Sequence, residues 1–278
     1  MIAPPRISTV IPVYNNAVST ARAVASVLRQ SSPAHEIILI DDASRPGCGA
    51  AIDRRLAGCS TAVPIRYERL TENGGPGLAR HRGAALATGS YVAFLDADDL
   101  WHRRKIEEVS RAITDTGAAL VGHHRPWAFE LPAGALTQLS TPLRRPLSHG
   151  DFLKRNPIPT SSIVARADIA REMFRFGGRK SEDYMALIIA ERSAGGALFL
   201  DAPLCWAKKP PFGHSGEGAD QMAIYRASAA HMLRLRREGV ISARDLAVFF
   251  GWFAIRVPVG VARLWRYRRG GAVRQGAA

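Results

Sequence analysis

The sequence predicts an α/β fold with a mostly parallel central sheet flanked by helices. Three apolar runs carry that expectation: Ile7-Ser-Thr-Val-Ile-Pro12, Glu36-Ile-Ile-Leu-Ile40 and Tyr91-Val-Ala-Phe-Leu95. Continuous apolar runs of this length suit strands covered on both faces. Helical patterns alternate with them, and such alternation implies a mainly parallel sheet. Each run also ends in polar residues: Val13-Tyr-Asn-Asn16, Asp41-Asp-Ala-Ser44 and Asp96-Ala-Asp-Asp99. In open α/β sheets ligands bind outside the carboxyl ends of the strands, so these segments should converge on one crevice.

Taken in order, Asn15 or Asn16 can cap a first helix whose apolar face is Ala17, Ala21, Val24 and Leu28. After the second strand, Asn73 to Gly89 reads as a glycine-rich loop, a short helix and a glycine stop. The run Gly74-Gly75-Pro76-Gly77 is not a phosphate-binding P-loop, because no Gly-Lys-Ser/Thr follows it. His102 to Thr116 reads as a helix ended by Gly117, with Ile106, Val109 and Ile113 on one face. Ala118 to Gly122 is a further strand. Residues 123–159 carry many prolines and are expected as loops and a short helix. Residues 160–210 return to the sheet.

Asp96, Asp98 and Asp99 lie so close together that they repel one another unless a cation or hydrogen-bond donors compensate them. A hard divalent cation shared with phosphates is one compensation. A turn whose acids merely cap the next helix is the other reading.

Composition sets further bounds. The chain has 278 residues, 47% hydrophobic, enough for one large α/β domain with appendages. Its three cysteines, Cys48, Cys59 and Cys205, have no metal or disulfide spacing and suggest a reducing compartment. No basic segment followed by an apolar stretch opens the chain, so no secretory signal is evident. The formal net charge is +14, and Arg226 to Ala278 holds eleven arginines against Glu238 and Asp245. Such a tail suits an anionic surface. Its arginines flank an apolar, aromatic stretch, Leu246 to Trp265, which favours acidic lipid over nucleic acid. Arg256 would sit near the middle of a spanning helix, and Pro258 weakens a regular one. An interfacial helix avoids both, with Trp252 and Trp265 at the headgroups and Arg266, Arg268 and Arg269 on lipid phosphates. A helix packed on the domain with a solvated basic end, and a true span, are the alternatives. On the interfacial reading, truncation after Gly239 lowers membrane association more than activity.

Together the motifs PVYN (12–15), DDAS (41–44), NGGPGLARHRGAALATG (73–89) and FLDADD (94–99) resemble the successive motifs of family 2 glycosyltransferases of the GT-A fold. Downstream, Ser161 to Arg166, Ser181-Glu-Asp183 and Leu200 to Leu204 continue the likeness, which covers about residues 6–210. One departure is DDAS where DDGS is commoner, and Ala for Gly matters only if that turn needs a positive φ. The resemblance implies a Rossmann-like GT-A domain over 1–215, split into a nucleotide-sugar-binding half (1–100) and an acceptor and catalytic half (101–215). Residues 216–278 are then a helical, basic, membrane-associating extension.

The same resemblance implies an inverting glycosyltransferase that uses Mn2+ or Mg2+. Its donor would be a UDP-, GDP- or dTDP-sugar and its acceptor a lipid-linked or polysaccharide glycan. Envelope polysaccharide assembly at the cytoplasmic face of the cell membrane is the implied setting, with no nucleic-acid partner.

On the matching positions Asp98 is the direct metal ligand, and Asp96 faces the ribose or a metal-bound water. Asp99 caps the Trp101–Thr116 helix. Asp42 reads the base, the backbone of Pro12 and Val13 cradles the nucleoside, and Tyr14 packs under base or sugar unless it is a buried tyrosine tied to a turn. Arg80 forks onto phosphate or supports the base, with Arg82 competing. Asp183 is the general base, Glu182 orients it or a nearby backbone group, and the alternative for Asp183 is a helix cap. His214, in a glycine-rich loop, is either an added metal ligand or an ordinary surface histidine. His123-His124 lacks the spacing of a metal site. A non-catalytic binding protein of the same fold is a rival, but the DAD and ED acids oppose it. A nucleotidyltransferase is another rival, though it would carry a glycine- and lysine-rich loop where this chain has PVYNN.

Overall fold

The computed structural model describes residues 4–59, 62–128, 130–208 and 221–274, with side chains described for 222–258 in the last stretch. The chain opens with β1 (Ile7–Val13), α1 (Ala17–Leu28), β2 (Glu36–Asp41), α2 (Cys48–Leu56), β3 (Ile65–Arg69), α3 (Pro76–Leu86) and β4 (Tyr91–Phe94). It continues through β5 (Asp99–Trp101), α4 (Lys105–Thr116), β6 (Leu120–His124), β7 (Leu143–Leu147), α5 (His149–Lys154) and a 3-10 turn at Thr160–Ser162. Then come β8 (Val164–Arg166), α6 (Ala167–Met173), α7 (Glu182–Ala194), β9 (Ala197–Pro203), β10 (Cys205–Ala207), α8 (Gln221–Arg237) and α9 (Ala243–Arg274).

Eight strands form the central sheet in the order β3-β2-β1-β4-β8-β6-β9-β7. The pairs among β1, β2, β3 and β4 are parallel, whereas β8 runs antiparallel between β4 and β6. The expected mostly parallel sheet is thus present, with β8 and the edge strand β7 reversed. Apolar side chains alternate across it. Val10, Ile38, Ile40, Val92 and Phe94 enter one core, and Ile11, Ile37, Leu39, Ala93 and Leu95 the other. Burial on both faces explains the unbroken apolar runs, and each large aliphatic side chain so buried contributes about 1.5–3 kcal/mol.

Local signals act as their chemistry dictates. The Asn16 side chain accepts the Ser19 N–H at the start of α1. Gly117 ends α4 at φ 69 and donates its N–H to Ile113 O. Gly83 lets α3 lie directly on β1, since a Cβ there would stand 2.3 Å from a Val10 methyl.

Three local expectations are corrected. Residues 123–159 are less irregular than their prolines suggest, because β7 adds an edge strand, where Pro146 is tolerated. The helix after DADD starts at Lys105, not at Trp101 or His102, and Arg104 is its N-cap residue. Asp99 therefore caps no helix; it begins β5, which pairs with β10.

The basic extension also differs from an appended tail. Met232, Leu235, Ile241 and Phe249 are buried in the same core as Val10 and Phe94. Ser242 and Asp245 cap α9 reciprocally, and the helix continues through Pro258. Phe249 stacks near Tyr184 with ring centroids 6.1 Å apart, so it does not lie at a lipid interface. Truncation after Gly239 would uncover the core, and it cannot separate membrane association from activity. Trp252 and Ile255 remain exposed at 42% and 60%. Among the described residues no helix is long and apolar enough to cross a membrane. The side chains of Trp265, Arg266, Arg268 and Arg269 lie outside the described residues.

Candidate functional site

The carboxyl ends of β1 and β2 are knitted together by the polar residues that follow them. Asn15 N donates to Ser44 Oγ at 2.8 Å, and Arg45 N donates to Asn15 Oδ1 at 2.8 Å. Asp41 accepts the Ser44 N–H and the Tyr67 hydroxyl. Pro12 and Val13 close β1 beside this turn, and Tyr14 stands 54% exposed at its lip. Tyr14 is thus not a buried turn residue; its ring is available to a ligand. Asp42 is buried, and its two oxygens accept Gly74 N at 2.7 Å and Gly75 N at 2.8 Å. The carboxylate expected to read a base is committed to tethering the glycine-rich loop, with lone-pair capacity left over.

Ala43, at the position where glycine is commoner, has φ 55. The turn does require the left-handed region, which costs a residue with a Cβ about 1 kcal/mol. Ala43→Gly should therefore raise stability by about 0.5–1 kcal/mol, less the extra entropy of the unfolded glycine. A thermal unfolding midpoint about 1–3 °C higher is expected, and a lower midpoint would contradict the strain.

At the carboxyl end of β4, Ser161 organises the acids. Its hydroxyl donates to Asp99 Oδ2 at 2.5 Å and accepts Asp96 N at 3.0 Å. Asp99 is 2% exposed and also takes Arg125 Nη1 at 3.0 Å. Burial pushes the Asp99 carboxyl above the usual range, with Arg125 opposing and Asp96 adding to the rise. Asp96 and Asp98 are half-buried beside it. Arg80, in α3, donates to Asp96 at 2.7 Å and to Glu182 at 3.0 Å. Burial alone would raise Asp96, yet the Arg80 and Arg125 guanidiniums outweigh it and hold that carboxyl low. Glu182 is raised, chiefly by burial, which Arg80 only partly offsets. Arg82 instead pairs with Glu68 at the surface, which ends its competition with Arg80.

Asp183 joins these groups in one crevice of about 410 Å3 whose lining includes Arg80, Asp96, Arg125, Asn156, Thr160 and Asp183. The first turn of α7 sets its position. Ser181 precedes it at φ 57, fixed by α8: its hydroxyl meets Ser228 Oγ at 2.6 Å and its carbonyl meets His231 Nδ1 at 3.1 Å. Asp183 Oδ2 accepts Asn156 Nδ2 at 2.9 Å, and Oδ1 accepts Tyr184 N at 2.8 Å. Asp183 is therefore a first-turn residue, not the cap. Its neighbour Glu182 points to Arg80 and not to Asp183. The far wall belongs to α8 and α9: Tyr225, Phe249, Phe253 and Arg256, whose Nη1 donates to Lys154 O at 2.7 Å.

The residues suit a hard cation and an anionic leaving group. Among the described residues no three His, Cys, Asp or Glu groups converge. Asp96 lines the crevice, and Asp98, two residues on, is half-buried beside it; carboxylates are the ligand type a hard cation shared with phosphates takes. Arg80 and Arg125 line the crevice, and the buried Nε of each has no partner among the described residues.

The sequence compares directly with known proteins. The model of the family "Glycosyl transferase family 2" matches residues 8–166. The chain belongs to this family. An uncharacterized glycosyltransferase of Rickettsia conorii is 41% identical over 102 residues, 37% of this chain and 16% of that protein. The putative teichuronic acid biosynthesis glycosyltransferase TuaG of Bacillus subtilis is 36% identical over 124 residues, 42% of this chain and 48% of TuaG. The chain thus spans less than half the length of these relatives. Two solved structures share the GT-A fold. S. aureus TarS 1-349 in complex with UDP-GlcNAc has a TM-score of 0.66 at 16% identity, covering 89% of this chain and 72% of TarS 1-349. The mannosyltransferase PcManGT of Pyrobaculum calidifontis, with GDP-Man and Mn2+, has a TM-score of 0.61 at 17% identity, covering 98% and 83%.

Three of the expected family 2 positions, Arg80, Asp96 and Asp183, line this crevice. Pro12, Val13 and Tyr14 lie at and just beyond the end of β1, and Asp42 tethers the loop that leads into Pro76 of the crevice wall. His214 lies outside the described residues. His123 is buried and His124 pairs with Asp201, away from any metal cluster among the described residues. Arg125, Asn156, Thr160 and Ser161 were not anticipated as site residues; the available signals were the Asn156-Pro157 turn pair and the place of Ser161 at the head of a segment that resembles the family.

Proposed function

We propose that this chain transfers a glycosyl group from a nucleotide-sugar donor to an acceptor hydroxyl, with inversion, supported by a divalent cation. The observation that carries this reading is the meeting of Asp183, from α7, with Asp96, Arg80 and Arg125 in one crevice. Pro12, Val13 and Tyr14 bind the nucleoside, with Asp42 and the loop it anchors at Gly74 and Gly75 beneath it. Asp98, with Asp96, would hold Mn2+ or Mg2+, which when bound would neutralise the leaving diphosphate as a Lewis acid. Arg80 positions Asp96, and the arginine N–H donors face accumulating phosphate charge. Asp183 takes the proton of the attacking hydroxyl while Asn156 and Thr160 hold its carboxylate in place. A single base and one displacement invert the anomeric centre.

The acceptor enters along the wall of α8 and α9, and a lipid-linked or polysaccharide glycan suits its aromatic rings and Arg256. UDP-, GDP- and dTDP-sugars are the donor classes. The exposed Trp252 and Ile255 and the arginine-rich end of α9 support peripheral contact with an anionic membrane face.

A panel of nucleotide sugars assayed with and without Mn2+ tests the reading. One donor should show metal-dependent turnover, and proton NMR of early product should show the opposite anomeric configuration. Retained configuration would reject the mechanism; silence across the panel would reject the activity. In the same panel Asp98→Asn should abolish metal-dependent turnover and weaken donor binding by about tenfold or more in calorimetry. Unchanged donor and Mn2+ affinity would remove Asp98 from the metal site.

A further inference from the structure

A second cavity, of about 680 Å3, opens between α1, α2, β5 and residues 131–137. That volume falls within the range of small-molecule sites, about 300–1,000 Å3. None of the PVYN, DDAS or DAD residues lines it. Its floor is apolar, with Ala21, Ala25, Leu56, Leu100 and Leu136. Its rim carries Arg22, Arg29, Arg55 and Arg103, all exposed.

The charge balance of this lining is one-sided. It contains no Asp or Glu, and none of the four arginines forms an ion pair among the described residues. Arg55 donates only to Ala51 O of its own helix. Four like charges around one opening repel each other unless an anion sits among them. A free phosphate would meet the arginines but leave the floor unfilled. A neutral hydrocarbon would fill the floor but leave the charges uncompensated.

We infer that this cavity binds an anionic amphiphile, a hydrocarbon chain carrying a phosphate head, with the chain over Leu56 and Leu100 and the head among the four arginines. The site is separate from the sugar-transfer crevice and does not depend on that activity.

The test is calorimetry on the full chain with three probes at physiological ionic strength: dodecyl phosphate below its micelle concentration, dodecyl maltoside and inorganic phosphate. Dodecyl phosphate should bind at least about tenfold more tightly than either of the others. Two folded variants assign the binding to the cavity. Arg22→Gln with Arg29→Gln removes charge from the rim, and Ala25→Leu fills the floor. Each should weaken dodecyl phosphate about tenfold or more while nucleotide and Mn2+ binding stay unchanged. Equal affinity for all three probes would overturn the inference. So would wild-type affinity in both variants, which would move the binding to the basic end of α9.

Discussion

Replacing Asp183 with Asn should lower kcat by about 10²–10⁴-fold while donor and metal affinities stay near wild type. The amide has the shape of the carboxylate and can keep the Tyr184 N–H contact through its oxygen. It cannot accept the proton of an attacking hydroxyl. The expected separation from donor binding rests on different contacts: Asp183 meets Asn156, Thr160 and its own helix, whereas Asp96 meets Arg80 and Asp42 meets the Gly74–Gly75 loop, the groups proposed to face the donor. Single-turnover kinetics beside calorimetry measures both quantities. Loss of donor affinity as severe as that of Asp98→Asn would place Asp183 in donor binding and leave the reaction without its assigned base.

Arg80→Met should be the most destabilising change at the site. The guanidinium is 5% exposed and bridges Asp96 and Glu182. Met keeps much of the volume and the packing against Phe174, over whose ring the guanidinium carbon stands at 5.4 Å. Removing one partner of a buried ion network typically costs about 3–5 kcal/mol. That corresponds to a fall in Tm on the order of 10 °C.

The loss should depend on pH. Glu182 already has a raised folded pKa, so its contribution to stability is fully present below the unfolded carboxylate pKa and fades as pH rises through the folded value. Without Arg80 that folded pKa rises further. Glu182 stays neutral at pH 5 but must ionise, or resist ionising, at pH 8. Asp96 keeps Arg125 as a counter-charge when Arg80 is lost, so the pH-dependent part of the loss falls mainly on Glu182. Chemical denaturation should therefore show a larger difference from wild type at pH 8 than at pH 5. An equal difference at both would mean that Glu182 is not the group left uncompensated.

The parts of this molecule legible in the sequence are those whose cause is local. Two-sided burial wrote β1, β2 and β4 as unbroken apolar runs, and Asn16 and Gly117 marked helix ends by their own hydrogen-bonding and backbone preferences. The motif acids at the strand ends were legible because strand direction alone carries them to one edge. What stayed hidden was written by distant partners. Residues 99–101 form a strand only because residues 205–207 pair with them. Residues 143–147, with two arginines and a proline, read as loop, and an edge position is what permits the strand. Arg80 looked like a donor ligand, since nothing nearby in sequence reveals a carboxylate 102 residues further on. The aromatic cluster around Phe249 has the composition of an interfacial helix, and only the position of Tyr184 turns it into a pocket wall.

The link from Ser181 to α8 has a consequence for the order in which the protein acquires its abilities. The backbone turn that presents Asp183 is held in an unfavourable conformation by Ser228 and His231, 47 and 50 residues downstream. A nascent chain halted before α8 lacks both the anchor for this turn and part of the core, so Asp183 should take up its place in the crevice only once α8 and α9 have packed.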